Sequence, residues 1–169
     1  MKIISGGQSG VDRAALDTAI ALGIDYGGWC PKGGWAEDHP EPPGVLAAYT
    51  KLIETPLADP AQRTEWNVRD ADACLIILDA RGLPVSKGTA LAHELAGRYR
   101  KPLLVVDLSV ADAIERAGDW IIARRGDLGP GLSLAIGGPR ESEAPGIYDK
   151  ALIFIRAVLT RAGIGAKHA

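Results

Sequence analysis

The sequence predicts a doubly wound α/β fold, a mainly parallel sheet with helices on both faces, and three observations carry that prediction. Short apolar runs alternate with helical periods along the whole chain. Ala73 to Leu78 (Ala-Cys-Leu-Ile-Ile-Leu) is apolar without a break, as a strand covered on both faces of a parallel sheet must be. The segments joining the strands have the length of crossovers that pack back on the sheet. The 169 residues, with no internal repeat and no wide linker, fit one domain over residues 1–169.

The elements follow in order. Lys2-Ile3-Ile4-Ser5 is a strand, ending in Gly6-Gly7-Gln8-Ser9-Gly10. Val11, Ala14, Ala15, Ala19 and Leu22 then recur at helical spacing. Ser9 with Asp12 reads as a capping pair, so this helix is expected to start at Ser9 or Gly10 and to stop at Gly23. Residues 25–29 form a second strand, and the aperiodic stretch from Trp29 to Asp38, Pro-rich through Pro43, is long enough to signal a functional loop. Leu52-Ile53-Glu54 is a short strand. Asp59-Pro60 is an N-cap followed by Pro at the first helical position, for a helix to about Asp70. After the strand Ala73 to Leu78 come a helix over Gly88 to Tyr99, a strand over Leu103 to Asp107, and a helix with the capping pair Ser109 and Asp112. Leu132 to Ile136 is the last strand. Tyr148, Ala151, Leu152, Ile155, Val158, Leu159 and Ala162 mark an amphipathic helix beginning near Gly146.

Composition narrows the function. A net charge of -2, from 19 Lys+Arg against 21 Asp+Glu, disfavours a nucleic-acid binder that neutralises many phosphates. Two cysteines, Cys30 and Cys74, are too few for a disulfide framework and point to a reducing, cytoplasmic compartment. No signal peptide and no apolar run of membrane-spanning length is present, so no membrane partner is expected. His39, His93 and His168 lack metal-ligand spacing, and no metal site is expected.

In a doubly wound sheet ligands bind beyond the carboxyl ends of the strands. Gly6 to Gly10, a Gly-rich turn before a helix, suits an anion through its backbone N–H groups and the helix N-terminus, or is simply a tight turn. It is neither a G-x-G-x-x-G fingerprint nor a P-loop. Pro84-Val85-Ser86-Lys87-Gly88-Thr89 is a second such turn. Arg13, Lys32, Arg63, Lys87 and Arg140 cluster in the same loops, and Asp79 closes the central strand. The chain has four Trp but one Phe. Trp29 and Trp35 flank Lys32 and either stack on a planar ring or fill a core beneath the loop. Trp66 and Trp120 belong to helices.

Taken together, Ser5-Gly6-Gly7-Gln8-Ser9-Gly10-Val11-Asp12-Arg13, Gly28-Trp29-Cys30-Pro31-Lys32-Gly33 with Ala36-Glu37-Asp38, Arg63-Thr64 with Asn67-Val68, Lys87-Gly88-Thr89-Ala90, Lys101-Pro102, and Gly138-Pro139-Arg140-Glu141-Ser142 with Pro145-Gly146-Ile147-Tyr148 resemble the molybdenum cofactor carrier proteins over nearly the whole chain. That family sits in a Rossmann-like group with the cytokinin-activating phosphoribohydrolases, long labelled lysine decarboxylases, and the DprA-type DNA-processing proteins.

The resemblance implies a homo-oligomer, a tetramer or dimer, that binds the molybdenum cofactor, molybdate or a phosphate-type oxyanion without transforming it. Cofactor-biosynthesis proteins or molybdoenzymes would be its partners. The expected binding residues are Gly6, Gly7, Gln8, Ser9, Gly10, Arg13, Trp29, Lys32, Asp79, Lys87, Gly88, Thr89, Arg140, Glu141 and Ser142. The alternative is a phosphoribohydrolase-like enzyme acting on a nucleoside monophosphate. Those enzymes resemble this chain at Pro84, Gly88 and Thr89 of Pro-Gly-Gly-x-Gly-Thr-x-x-Glu, but here Val85 and Ser86 replace two glycines and Ala92 stands in place of the catalytic Glu. Glu94 is two residues further on, about 200° around a helix, so its carboxylate is expected to face away.

Overall fold

A computed structural model describes residues 1–165. His168 lies outside the described residues. Six parallel strands form one sheet in the order β3-β2-β1-β6-β4-β5: β1 (Lys2–Ile4), β2 (Asp25–Cys30), β3 (Leu52–Glu54), β4 (Ala73–Leu78), β5 (Leu103–Asp107) and β6 (Ser133–Gly137). Five helices alternate with them: α1 (Val11–Ala21), α2 (Pro60–Asp70), α3 (Lys87–Arg98), α4 (Ala113–Leu128) and α5 (Ile147–Arg161). The doubly wound α/β architecture read from the sequence is the one observed.

Alternation along the strands divides the core in two. Ile3, Leu75, Ile77, Leu134 and Ile136 pack with the apolar stripes of α1, α4 and α5 on one face. Ile4, Cys74 and Ala135 point to the other, where Val68 of α2 and Leu95 and Ala96 of α3 cover them. Successive side chains of a strand face opposite sides, so β4 has to be apolar throughout, and all six of its residues are buried. A third cluster, Leu16, Cys30, Ala36, Val45, Tyr49 and Leu52, supports the long loop after β2.

The chain winds outward from β1 to β3 at one edge, crosses through α2 to β4 and β5 at the other, and returns through α4 to place β6 between β1 and β4. The turn after β1 feeds a helix on one face and the turn after β4 feeds a helix on the other. Their divergence opens a crevice at the carboxyl ends of β1, β6 and β4.

Three expected helix starts differ in detail. Helix α1 is capped by Gly10 with no side-chain cap bond, because Ser9 and Asp12 are drawn into tertiary contacts described below. Helix α3 begins one residue early at Lys87, with Ser86 accepting from Thr89 N. Helix α4 has Asp112 at its cap without a side-chain bond, since Ser109 is instead held by the Asp107 carboxylate through both N (2.8 Å) and Oγ (2.7 Å). The Asp59 cap of α2 is as expected, accepting from Ala61 N. Among the described residues no helix is long and apolar enough to cross a membrane.

Candidate functional site

The crevice holds a narrow cleft, with about 70 Å³ open to the centres of water-sized molecules. Its floor is glycine. Gly137 pairs with Ile76 across the β6–β4 ladder, and Gly6 follows β1. A Cβ on Gly6 would stand 2.3 Å from Arg63 Nη1, and one on Gly137 would stand 3.3 Å from Asp12 Oδ1. The missing side chains leave room for an ion pair laid flat on the sheet, in which Arg63 Nη1 donates to Asp12 Oδ2 at 3.0 Å. Asp12 is 6% and Arg63 15% exposed, so the pair has little water to share. Burial pushes the Asp12 carboxyl above its ordinary value, against the opposing pull of Arg63 and of N–H donation from Gln8 and Gly6. The Gly-rich turn therefore presents part of its N–H array to the protein's own carboxylate.

Donors for a ligand remain around that pair. Arg63 Nε is buried with no partner among the described residues. Gln8 uses Oε1 to accept from Ser9 N (3.0 Å) and Glu37 N (2.9 Å), which leaves its Nε2 amide available at the cleft wall. The Arg140 guanidinium makes only long contacts, 3.5 Å to Glu143 and 3.8 Å to Glu37, and Arg140 is part of the cleft lining. Gly88 places the N-terminus of α3 beside them with nothing within 4 Å of its Cβ position. The two arginines and this helix end offer donors to an anion, beside the carboxylates of Asp12 and Glu143 in the same lining.

The loops around the mouth are tied by carboxylates of the protein. Ser9 Oγ donates to Glu37, Ser142 N (3.1 Å) and Oγ donate to the same carboxylate, and Glu141 N donates to Ser9 Oγ at 3.0 Å. Burial pushes Glu37 up, but the Ser142 and Ser9 donors outweigh it and hold the carboxyl below its ordinary value. Glu141 in turn caps α5, accepting from Gly146 N and from Tyr148 N (3.0 Å). Replacing Glu37 with Ala is expected to lower stability by about 2 kcal/mol at neutral pH, since a charged acceptor for two hydroxyls and an amide is lost. The depressed Glu37 value means that this contribution is present above 4.5 and lost as pH falls through the folded value. Denaturant unfolding at pH 7 and about pH 3 should show the gap between the two proteins closing in acid.

Of the residues expected from sequence, Gly6, Gln8, Gly88, Thr89 and Arg140 line this cleft. The structure places the others elsewhere. Gly7 backs onto Val45 and Leu52 of the third core cluster. Ser9, Gly10, Arg13 and Glu141 border a shallow depression on the α1–α5 side, where Arg13 grips Asp38 through two bonds of 3.0 Å and Gly7 O at 3.1 Å. The donors of Ser142 are engaged by Glu37. Trp29 lies against α2, its ring at 83° to Trp66 with 4.7 Å between centroids and its Nε1 donating to Asp70 at 2.8 Å. Trp35 is half-buried, and neither ring lines the cleft. Lys32 and Lys87 are exposed, and Asp79 pairs with Arg81.

Asp12, Thr64, Asn67, Ser86, Gly137, Gly138 and Glu143 line the cleft and were not expected to bind, and Arg63 was noted only as one of several loop cations. For the three on α2 the sequence holds a signal: Arg63, Thr64 and Asn67 put polar groups on the face that also carries Val68, the face that must be buried. Asn67 clamps the backbone of Trp29, accepting from its N (2.7 Å) and donating to its O (2.9 Å). Ala92 lines the cleft where a phosphoribohydrolase would carry its Glu, while Glu94 is 66% exposed and paired with Arg98 at 3.1 Å. Among the described residues no group of His, Cys, Asp and Glu is placed to hold a metal ion. Burial pushes the Cys74 thiol, on the inner wall, up to about 11.

The comparisons with known proteins agree with this architecture. No curated protein matches the chain. A crystal structure named "Putative molybdenum carrier protein", from Syntrophus aciditrophicus SB, is 40% identical in sequence over 94% of each chain, with a TM-score of 0.78. The likeness to molybdenum carrier proteins read from the motifs is thereby borne out. A family model described as the circularly permutated YpsA SLOG family matches residues 3–159, nearly the full described length. The chain belongs to the circularly permutated YpsA SLOG family.

Proposed function

We propose that this protein binds and carries the molybdenum cofactor, gripping the phosphate or molybdenum oxyanion between Arg63, Arg140, Gln8 and the N-terminus of α3. The observation that carries the reading is the mouth of the cleft, where the Arg140 guanidinium, with partners only at 3.5 Å and beyond, stands with Arg63, whose Nε has no partner among the described residues while its Nη1 holds Asp12, over a glycine floor. The 40% identical relative bears a molybdenum carrier name, which favours this cargo among oxyanions. Arginine forks match phosphate and molybdate oxygens equally well, and the water-poor floor strengthens each contact. Ala92 in place of an acid supports carriage over hydrolysis. Cytoplasmic residence, assembly into dimers or tetramers, and hand-over to biosynthetic proteins or molybdoenzymes complete the reading.

A nucleotide-processing reading has one observation in its favour: Asp12 and Glu143 line the same cleft, and the raised Asp12 carboxyl suits proton transfer. Turnover of AMP lost on Asp12→Asn would support it.

The test is Arg140→Ala. Arg140 is 34% exposed and its ion pairs are long, so the fold should tolerate the change. Loss of one charged donor is expected to weaken binding of 6-hydroxymethylpterin phosphate, measured by calorimetry, by about tenfold to a hundredfold. Unchanged affinity would remove Arg140 from the site and the reading with it.

A further inference from the structure

We infer that the outward face of α5, with the start of α4 beside it, is a two-fold interface on which a second copy of this chain docks with its own α5 antiparallel; this rests on the assembly included in the reading above and names the surface for it. Helix α5 buries Ile147, Ala151, Phe154, Ile155, Val158 and Leu159. At about 100° per residue, all six lie on the half of the helix turned away from Ile153. Ile153 stands at the centre of the outward half and is 69% exposed, more than any other large apolar side chain among the described residues. It is not isolated. It lines one groove with Leu108, Val110, Ala113, Ile114 and Phe154, and Val110 and Ile114 are exposed with it. A single exposed apolar side chain is ordinary, whereas a patch that continues from one helix to the next marks an interaction surface.

The two helices already form one platform. Arg161 lies over Gly118, where a Cβ would stand 2.6 Å from its Cδ, and pairs with Asp119 at 3.1 Å and Glu115 at 3.5 Å. Arg125 Nη1 donates to Ala162 O at 3.1 Å. A surface held in shape before it docks loses little freedom on docking.

The charges beside Ile153 identify the occupant. Asp149 and Arg156 are exposed, four residues before it and three after it, so they lie on the same side of the helix stripe. Arg161 on the same helix is engaged by α4, but neither Asp149 nor Arg156 has an ion-pair partner among the described residues. A two-fold axis at Ile153 with the helices antiparallel sets Asp149 of each copy against Arg156 of the other, because the two positions are almost equally far from the centre. A parallel pair would set Asp149 against Asp149 and Arg156 against Arg156. Lys150 lies on the other side of Ile153, toward α4, and in the antiparallel pair it faces the Ala157 position of the second copy, so no like charges meet. The outcome is an apolar centre built on Ile153 and Ile114 between two opposite-charge pairs, the composition of a specific interface.

The experiment follows the mass of the full chain by analytical ultracentrifugation over a concentration series. The unaltered protein is expected to associate, and Ile153→Glu to weaken that association about thirtyfold or more while the far-ultraviolet circular dichroism is unchanged. Asp149→Arg and Arg156→Asp each bring like charges together twice, so each is expected to weaken association about tenfold or more, and the double variant to recover most of the loss. Damage to the fold cannot produce that recovery. Association untouched by Ile153→Glu, or charge reversals that do not compensate one another, overturns this inference and leaves assembly through another face. An unaltered protein that stays monomeric at the highest concentration overturns both the interface and the assembly, while the ligand reading stands or falls on the calorimetry of Arg140→Ala.

Discussion

Arg63→Ala is expected to lower the unfolding free energy by about 3–5 kcal/mol at neutral pH, the largest effect of any single change in the cleft. Removing the guanidinium strands the Asp12 carboxylate on a floor of Gly6 and Gly137, with N–H donation from Gly6 and Gln8 as its remaining support. A chain of this length loses roughly 2–4 °C for each kcal/mol, so the melting temperature should fall by roughly 6–20 °C. The sign of the pH dependence is specific. Asp12 already has a raised carboxyl, and without Arg63 it rises further, so the folded variant binds a proton that the unfolded chain has lost. Stability of the variant is then greatest below the ordinary value of 3.8 and falls as pH rises through the folded value. Denaturant unfolding across pH should therefore show the deficit shrinking in acid. Adding Asp12→Asn should recover part of the loss at pH 7, because a neutral amide carries no stranded charge. A deficit independent of pH, with no recovery in the double variant, would mean that the pair is not the anchor of the site.

Gly10→Ala is the second large effect. Gly10 has φ 74° and ψ -130°, a conformation that L side chains rarely adopt, and a Cβ there would stand 2.4 Å from Pro139 O and 2.9 Å from Arg140 Cα. Neither neighbour can withdraw freely. Val11 N donates to Pro139 O at 3.2 Å, and Glu141 N donates to Ser9 Oγ at 3.0 Å, so the 138–142 segment is tied to the turn it would have to leave. Backbone strain of about 1–3 kcal/mol and a similar packing penalty give an expected loss of about 2–6 kcal/mol. Gly23 supplies the control, with φ 65° and open space around its Cβ position. Gly23→Ala should cost about 1–2 kcal/mol of strain alone. Equal losses at the two positions, read from denaturant midpoints, would contradict the close approach of the two loops.

The difference between what sequence and structure reveal follows the range of each interaction. Alternation of apolar runs sets the parallel sheet, and the unbroken run of β4 sets its interior place between β6 and β5, because both report burial that every residue feels locally. The Asp59-Pro60 start of α2 was legible for the same reason. The capping pair expected at Ser9 and Asp12 does not form, because tertiary partners outcompete the local bond: Ser9 meets Glu37, and Asp12 meets Arg63, 51 residues on. The resemblance offers Glu141 and Ser142 to a ligand, and no local pattern shows that a distant carboxylate of the chain engages the Ser142 donors. Here Glu37, 105 residues before Ser142, already does so.

The tryptophans are placed by tertiary contacts in the same way. Trp29 and Trp35 are close in sequence to Lys32, yet strand pairing aims Trp29 at Trp66 of α2, and the cleft is walled by small residues, Ala92, Ala135 and Gly88.

The most direct test of the central claim is a crystal structure of the protein grown with 6-hydroxymethylpterin phosphate. The account predicts phosphate density at the carboxyl ends of β1 and β6, with oxygens at hydrogen-bond distance, about 2.7–3.2 Å, from the guanidiniums of Arg63 and Arg140. Phosphate density confined to the depression beside Arg13 and Tyr148, with the Arg63–Asp12 cleft empty, would contradict it.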